Sequence, residues 1–211
     1  MRLLPVAVVF AADLALGVAA HAAPPVFSTG VDDSGNLLPV GAVDPHYVIT
    51  SVPAKSLSAH ASSLHPSWVA NTSSSQWINP TGDGMVFFDV GTYTYQTTFD
   101  LTGYDPKTLA VIGSWASDNA SHIYLNGVDT GYVSPGGPNN ELGKMSSFAL
   151  TDGFKAGMNT LRFDVVNTGF QSGLHVHITD VAAELVPEPG SIAILATVAG
   201  STLLSRRRRS R

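Results

Sequence analysis

The sequence has no cysteine and few charged residues, and both absences limit the ways in which the fold can be stabilised. Without cysteine, disulfide bridges and thiolate metal sites are excluded, so an exported domain has to be held together by its core alone. Charged residues make up 13% of the 211 residues, against a usual share of about 25%. The 20 glycines and 13 prolines, with few strong helix formers, favour short strands joined by many turns.

Positive charge is concentrated at the C-terminus, where five of the seven arginines lie between Arg206 and Arg211. Between Ala23 and Val186, five basic residues stand against fourteen acidic ones, which gives this part a net charge of −9. Nucleic-acid binding depends on cationic contacts to phosphate. The acidic central part therefore excludes nucleic acid as a partner.

The first 22 residues have the layout of a secretory signal peptide. Arg2 gives a positive start, LLPVAVVFAADLALGVAA gives an apolar run, and Ala20 and Ala22 stand at the two positions that determine cleavage. Asp13 interrupts the apolar run, and a retained anchor is the alternative. We expect cleavage after Ala22 and export of the domain that follows.

A second apolar segment lies near the C-terminus. The sixteen residues 190–205 carry no charge; as a helix they would rise about 24 Å, at about 1.5 Å per residue, against a hydrocarbon core of about 30 Å. A buried core helix does not fit, because the segment is apolar all round and ends at four arginines. Positive charge stays cytoplasmic, which puts the preceding domain outside. We predict a single C-terminal transmembrane helix, stopped by Arg206, Arg207, Arg208 and Arg209.

The residues before this segment are Val186, Pro187, Glu188 and Pro189. The prolines keep them extended, as suits either a processing motif or a stiff linker. Pro-Glu-Pro, a short membrane segment and a terminal arginine cluster together resemble the PEP-CTERM sorting signal of Gram-negative bacteria. The resemblance implies recognition of residues 186–189 by exosortase, a membrane-embedded relative of cysteine transpeptidases. It further implies an inner-membrane-anchored precursor and a final place in the cell envelope or extracellular matrix. The Leu-Pro-x-Thr-Gly motif of sortase signals is absent, and a GPI signal would lack the basic cluster.

Residues 23–185 show a hydrophobic period of two, which indicates strands with one wet face. The strongest examples are GTYTYQTTFDL, NTLRFDVV and GLHVHITDV, while TLAVIGSWA predicts a central strand and Asn126-Gly127 a type I′ hairpin turn. Weaker patterns predict strands at Tyr47–Val52, Gln76–Asn79, Val86–Asp89 and Ser147–Leu150. Eight or nine strands without a helix predict an all-β sandwich or jelly roll.

Four motifs, WINPTGDG, YTYQTTFDL, SWASDNASHIYLNG and AGMNTLRFDVVNTG, follow one another between Trp77 and Leu185. Their order resembles that in galactose-binding-like β-sandwiches, the jelly rolls that accompany many glycosidases and that also occur in proteins with this type of tail. The resemblance implies the fold. It names no ligand, because the fold hosts many functions.

The candidate glycan-binding residues are Trp77, Trp115, Asp118, Asn119 and Asn126. A tryptophan face can stack on the C–H face of a sugar, and the polar side chains could bind its hydroxyls. The alternatives are that the tryptophans, Trp68 among them, fill the core and that the polar residues form turns.

Two patterns raise the question of a metal. His175 and His177 share one strand face, but the sequence names no third ligand, and a solvated face is the alternative. Asp32–Asn36 offers alternating oxygens, yet lacks the sixth-position glycine and the distant glutamate of an EF-hand. We predict no cofactor, with structural calcium as the alternative to a simple turn.

Catalytic signatures are missing from the sequence. There is no G-x-S-x-G or H-E-x-x-H motif, and the spacing of the carboxylates selects no pair for glycoside hydrolysis. We therefore predict a non-enzymatic, exosortase-sorted surface protein associated with exopolysaccharide or biofilm. The alternatives are a carbohydrate-binding module with a defined glycan and a glycan-active enzyme.

Overall fold

The computed structural model describes residues 23–51, 57–136 and 141–186. The predicted signal peptide, residues 187–189 of the sorting motif, the predicted membrane segment and the arginine cluster lie outside the described residues. Within the described ranges, no helix is long and apolar enough to span a membrane. The helical structure there is a single 3-10 turn, Glu141–Gly143.

The described residues form ten strands. In chain order they are β1 (Val43–Ser51), β2 (Leu57–Ala61), β3 (Ile78–Asn79), β4 (Gly91–Asp100), β5 (Ala110–Asp118), β6 (Ala120–Leu125), β7 (Val128–Ser134), β8 (Ser146–Leu150), β9 (Met158–Asn167) and β10 (Gly173–Ala182). Their order across the sheet is β7-β6-β9-β4-β1-β2-β3-β10-β5-β8, and every pairing is antiparallel.

The sheet folds over on itself, so that β5 packs against β6, β7 and β9 as well as against its own neighbours. The predicted all-β sandwich is thereby confirmed. The period-two patterns supply its core: Tyr95 of β4, Phe163 of β9 and Val176 of β10 are fully buried between the layers. Alternate residues of a strand point to opposite faces, and Thr98 and Asp100 of β4 are accordingly exposed.

The β6–β7 hairpin has the predicted turn. Asn126 and Gly127 have φ values of 51° and 86°, the left-handed conformations that both central residues of a type I′ turn require. Asparagine tolerates this conformation better than most residues, and glycine adopts it without a Cβ clash.

Two expectations about strands were wrong, and one strand was missed. Residues 86–89 form a loop, although Val86–Asp89 was predicted as a strand. The strand β2, LSAHA, was not predicted, because its small and polar residues give only a weak alternation. In GLHVHITDV, the histidine face was expected to be exposed to solvent, but His175 is fully buried.

His175 is buried because the outer face of the β3–β10–β5 layer carries a second apolar cluster. Trp68, Trp77 and Ala116 form this outer cluster, and Leu142 and Met145 pack against it. The Trp77 ring stacks on Trp68 at 4.2 Å and lies 5.6 Å from the His175 ring. Burial lowers the pKa of His175 to about 4, so the ring is neutral at physiological pH.

Candidate functional site

At one end of the sandwich, two loops present large apolar side chains to solvent. We call this surface the loop face and define it by Met85, Phe87, Val90 and Phe170, carried by residues 84–90 and 167–172. Phe87 is 65% exposed and Phe170 is 70% exposed. Their rings pack edge to face with centroids 5.4 Å apart. Contiguous exposed apolar groups on a small domain often mark a binding surface.

The two loops are held together by hydrogen bonds. Phe88 N donates to Phe170 O at 2.7 Å. The buried Asn167 amide donates to Phe88 O and Asp89 O, both at 3.0 Å. These contacts fix the backbone beneath the exposed rings, so a ligand would meet side chains that are already positioned.

Phe170 adopts an unusual backbone conformation. Its φ is +68°, in the left-handed region that bulky side chains rarely occupy. Strain of this kind persists where the surroundings enforce it and is common at binding sites. Here the Phe88–Phe170 hydrogen bond and the turn closed by Gly169 N donating to Asn167 Oδ1 enforce it. The result is that the Phe170 ring points to solvent instead of into the core.

Polar groups border the loop face. Asp89 is exposed, and its carboxylate makes no hydrogen bond or salt bridge with the described residues. Gln171 Nε2 makes only a long contact, 3.4 Å, to Met85 O. Thr168 Oγ1 donates to Asn119 Oδ1 at 3.1 Å. The face thus combines aromatic rings with carboxylate and amide groups that can bind hydroxyls.

The two predicted stacking residues lie elsewhere. Trp77 and Trp115 are 0% and 1% exposed, so neither ring can stack on a sugar in this structure. Trp115 packs in the main core, with Nε1 donating to Ser121 Oγ at 2.9 Å. Trp77 packs in the outer cluster, with Nε1 donating to Val69 O at 2.9 Å. The alternative of core packing is correct for both residues, and it also holds for Trp68.

Asp118 and Asn119 do lie at the end of the sandwich that carries the loop face, but their polar atoms are engaged. Asp118 is buried, with Oδ2 accepting from Trp68 Nε1 at 2.8 Å and Oδ1 from Asn119 Nδ2 at 2.8 Å. Burial raises the pKa of Asp118, against the opposing effects of the Trp68 hydrogen bond and of His65. Asn119 Oδ1 accepts from Thr168 N at 2.9 Å. Ser172 Oγ donates to Asp118 O at 2.6 Å, so both residues anchor the 167–172 loop.

Asn126 lies at the far end of the sandwich, in the hairpin turn. Its side chain donates to Asn159 Oδ1 and to Gly153 O. Asp32–Asn36 also forms a turn, in which Asp32 Oδ1 accepts from Ser34 N and Asn36 N, both at 2.9 Å. These hydrogen bonds lower the pKa of Asp32.

Sequence reasoning missed Phe87 and Phe170. Phe87 lay in the stretch GMVFFDV, whose apolar run predicted a strand. Phe170 had a usable signal, because it is a large aromatic residue inside the turn-forming stretch NTGFQSG, where no core position is expected.

A cleft lies between the edge strands β7 and β8. It has a volume of about 310 Å³ and is walled by Val128, Asp129, Tyr132, Leu150 and Asp152 among others. The Tyr132 hydroxyl bridges the two edges, donating to Ala149 O at 2.9 Å and accepting from Ala149 N at 3.1 Å. The Asp152 carboxylate is exposed and makes no hydrogen bond with the described residues. This cleft is at the lower limit of the usual size of small-molecule pockets, about 300–1,000 Å³.

No protein family matches this chain, and no curated protein matches it. Among solved structures, the chain is similar to a CBM35 from Paenibacillus barcinonensis, at 15% identity and a TM-score of 0.36 over 64% of this chain and 94% of that one. A family 35 carbohydrate-binding module from an environmental isolate has 9% identity and a TM-score of 0.33, over 67% of this chain and 98% of that one.

The third similar structure is a β-glucosidase from Kluyveromyces marxianus in complex with glucose, at 12% identity and a TM-score of 0.37. The match covers 85% of this chain and 20% of the β-glucosidase. TM-scores below 0.5 at these identities define neither the fold nor the ligand of this chain. What the structure of the chain itself defines is the class, an all-β sandwich with an exposed aromatic loop face at one end.

Proposed function

We propose that this protein is an exported, non-enzymatic carbohydrate-binding domain that binds a neutral glycan through the loop face. The observation that carries the proposal is the pair of exposed rings, Phe87 and Phe170, on hydrogen-bonded loops. Such rings can pack against the C–H face of a sugar, while Asp89 and Gln171 bind its hydroxyls. We also propose that the sandwich is a jelly roll of the galactose-binding-like kind.

The position of the loop face supports binding to an extracellular ligand. β10 starts at Gly173, directly after the loop, and runs ten residues to Ala182, a length of about 33 Å. The chain leaves at the other end, where Val186 N donates to Gly103 O at 2.9 Å. In a precursor anchored by residues 190–205, the loop face would point away from the membrane.

The charge of the domain selects among glycans. A net charge of −9 between Ala23 and Val186 repels uronic acid chains. Asp89 borders the loop face as an acceptor for hydroxyl groups. We therefore expect the domain to bind neutral polysaccharides.

We expect the full-length protein, in detergent, to be retarded by neutral polysaccharides in affinity electrophoresis and not by uronic acid polymers. Phe87→Ala and Phe170→Ala should each weaken binding by about tenfold or more, the scale of a binding hot spot of about 2 kcal/mol. The loss is expected because each ring supplies contact area without supporting the core.

Asp152→Asn in the β7–β8 cleft and Asp180→Asn on the exposed surface of β10 are matched controls, and both should bind as the wild type does. If Asp152→Asn weakens binding while the phenylalanine variants do not, the cleft is the glycan site and the loop face is not. Retention by no neutral glycan would reject the proposal in favour of a matrix protein without a glycan ligand.

We further propose that the protein is sorted through Val186–Pro189 by an exosortase-type enzyme and delivered to the cell envelope or extracellular matrix. The support is the sequence layout: an apolar N-terminal segment, an acidic domain, and the Pro-Glu-Pro, apolar and arginine-rich tail. The described chain reaches Val186 at the surface of the domain, with Val186 half exposed. The first residue of the motif is therefore accessible while the sandwich is folded.

Mass spectrometry of the protein from the surface of its own bacterium should show a new C-terminus near Val186. Glu188→Ala should leave the tail intact, because the acidic residue between the two prolines is lost while the membrane segment is unchanged. A wild-type surface protein that keeps its arginine tail would show that no processing occurs.

A further inference from the structure

The outer face of β10 carries two buried nitrogen atoms without a partner. His175 and His177 are two residues apart, so their side chains lie on the same face. The Nδ1 atoms of both rings are buried, and neither forms a hydrogen bond with a described residue. A buried polar atom left without a partner destabilises the fold, and two on one strand face require an explanation.

The free nitrogen of His175 is available as a ligand. Its other ring nitrogen, Nε2, lies 2.8 Å from Ser75 Oγ. The serine hydroxyl can accept from Nε2 or donate to it, and in the tautomer with hydrogen on Nε2 the Nδ1 atom carries a lone pair. Metal-binding imidazoles in proteins commonly donate their second N–H to an oxygen in this manner, which fixes the orientation of the ring.

A sulfur atom lies against β5, the strand that pairs with this part of β10. In the β10–β5 register, His177 is opposite Ser114 and His175 is opposite Ala116. Ser114 Oγ is 3.5 Å from Met145 Sδ, and Met145 packs against the outer cluster that contains Ala116. Residues directly opposite on antiparallel strands have Cα atoms about 4.5–5.5 Å apart. The thioether therefore contacts the residue opposite His177 and packs against the outer cluster that contains the residue opposite His175.

This donor set favours a soft transition metal. In the described part of the chain, no three histidine, aspartate or glutamate side chains are grouped to hold a metal, so hard ions that require carboxylates do not fit. Thioether sulfur favours Cu(I), and imidazole also suits copper. Because the sequence has no cysteine, methionine is the sulfur ligand that remains.

We propose that His175, His177 and Met145 form a Cu(I)-binding site on the outer face of β10, through the two Nδ1 atoms and the thioether sulfur. The site is separate from the loop face, and its function is independent of glycan binding. Trp77 and Ser75 pack around His175 and limit access of water to it.

The test is a titration of the full-length protein with Cu(I) under anaerobic, reducing conditions, against a chromogenic Cu(I) chelator. We expect one Cu(I) per chain. Met145→Leu, which keeps the side-chain shape, and His177→Gln should each weaken binding by about tenfold or more. The matched controls are Met158→Leu on the exposed surface of β9 and His65→Gln, and both should bind as the wild type does.

A second readout identifies the atoms. In ¹⁵N-labelled protein, the Nδ1 resonances of His175 and His177 should shift with Cu(I), which is diamagnetic, while those of His60 and His65 should not. If Met145→Leu and His177→Gln bind Cu(I) as tightly as the controls, or if the Nδ1 resonances do not move, the site does not exist. Zn(II) binding that depends on the same residues, without Cu(I) binding, would overturn the assignment to a soft metal.

Discussion

Trp77→Ala is expected to lower the free energy of unfolding by about 3–5 kcal/mol, the usual cost of removing a buried tryptophan. The ring is fully buried, stacks on Trp68 at 4.2 Å and donates from Nε1 to Val69 O. Its loss leaves a cavity in the outer cluster and an unpaired carbonyl at Val69. Urea denaturation followed by tryptophan fluorescence measures the effect, with the m-value unchanged if the transition remains two-state.

Phe87→Ala is the matched control for this prediction, because it also removes an aromatic ring. Phe87 is exposed, so its replacement should change stability by about 0.5 kcal/mol or less. The two variants therefore separate a structural aromatic residue from a binding one. A Trp77→Ala protein as stable as the wild type, with glycan binding reduced, would show that the indole is accessible in solution and that the loop face is not the glycan site.

The strands could be predicted because their cause is local. In β4 and β9, alternate large apolar residues such as Tyr95 and Phe163 face the core, and the alternation is visible in the sequence. The hairpin turn could be predicted for the same reason, because Asn126-Gly127 can adopt the two left-handed conformations that a type I′ turn requires. β2 was missed because Ala59 and Ala61 are buried but too small to give a clear hydrophobic pattern.

Apart from Phe170, the candidate site could not be predicted, because it depends on contacts between residues far apart in the sequence. Phe87 is exposed because the buried amide of Asn167 ties down residues 88 and 89. His175 is buried because Trp68 and Trp77 cover the outer face of β10, and the alternation in GLHVHITDV gives no sign of that cover. Residue type alone made tryptophan the best candidate for stacking on a sugar. In the structure the tryptophans are buried, and the exposed aromatic side chains are Phe87 and Phe170.

Asn159→Asp should be among the most destabilising substitutions in the domain, at about 3 kcal/mol or more at neutral pH. Asn159 is fully buried, and its Oδ1 accepts from Asn126 Nδ2 and Lys155 N. Its Nδ2 donates to Lys155 O at 2.7 Å and Gly157 O at 2.8 Å. In the variant an acceptor oxygen replaces Nδ2, so two carbonyls face a buried carboxylate. Each buried group without a partner costs about 1–3 kcal/mol, and more when it is charged.

The pH dependence of Asn159→Asp identifies this cause. Burial and the two carbonyls should raise the pKa of the introduced carboxyl in the folded state above its value in the unfolded chain. The destabilisation is then present at neutral pH and is relieved as pH falls through the folded-state pKa, because the protonated carboxyl can donate to one carbonyl. Urea denaturation at about pH 7 and about pH 4.5 should therefore show a smaller difference from wild type at the lower pH.

Asn71→Asp is the control with the same chemistry. Within the described ranges, the Asn71 side chain uses only Oδ1, which accepts from Trp77 N at 3.3 Å, and aspartate keeps that acceptor. Its stability should stay close to that of the wild type at both pH values. If Asn159→Asp and Asn71→Asp behave alike, the four hydrogen bonds of Asn159 do not determine the stability of the 153–159 turn. A large loss at Asn159 that is relieved by acid would instead show that this side chain, through its bond to Asn126, joins the hairpin turn to β9.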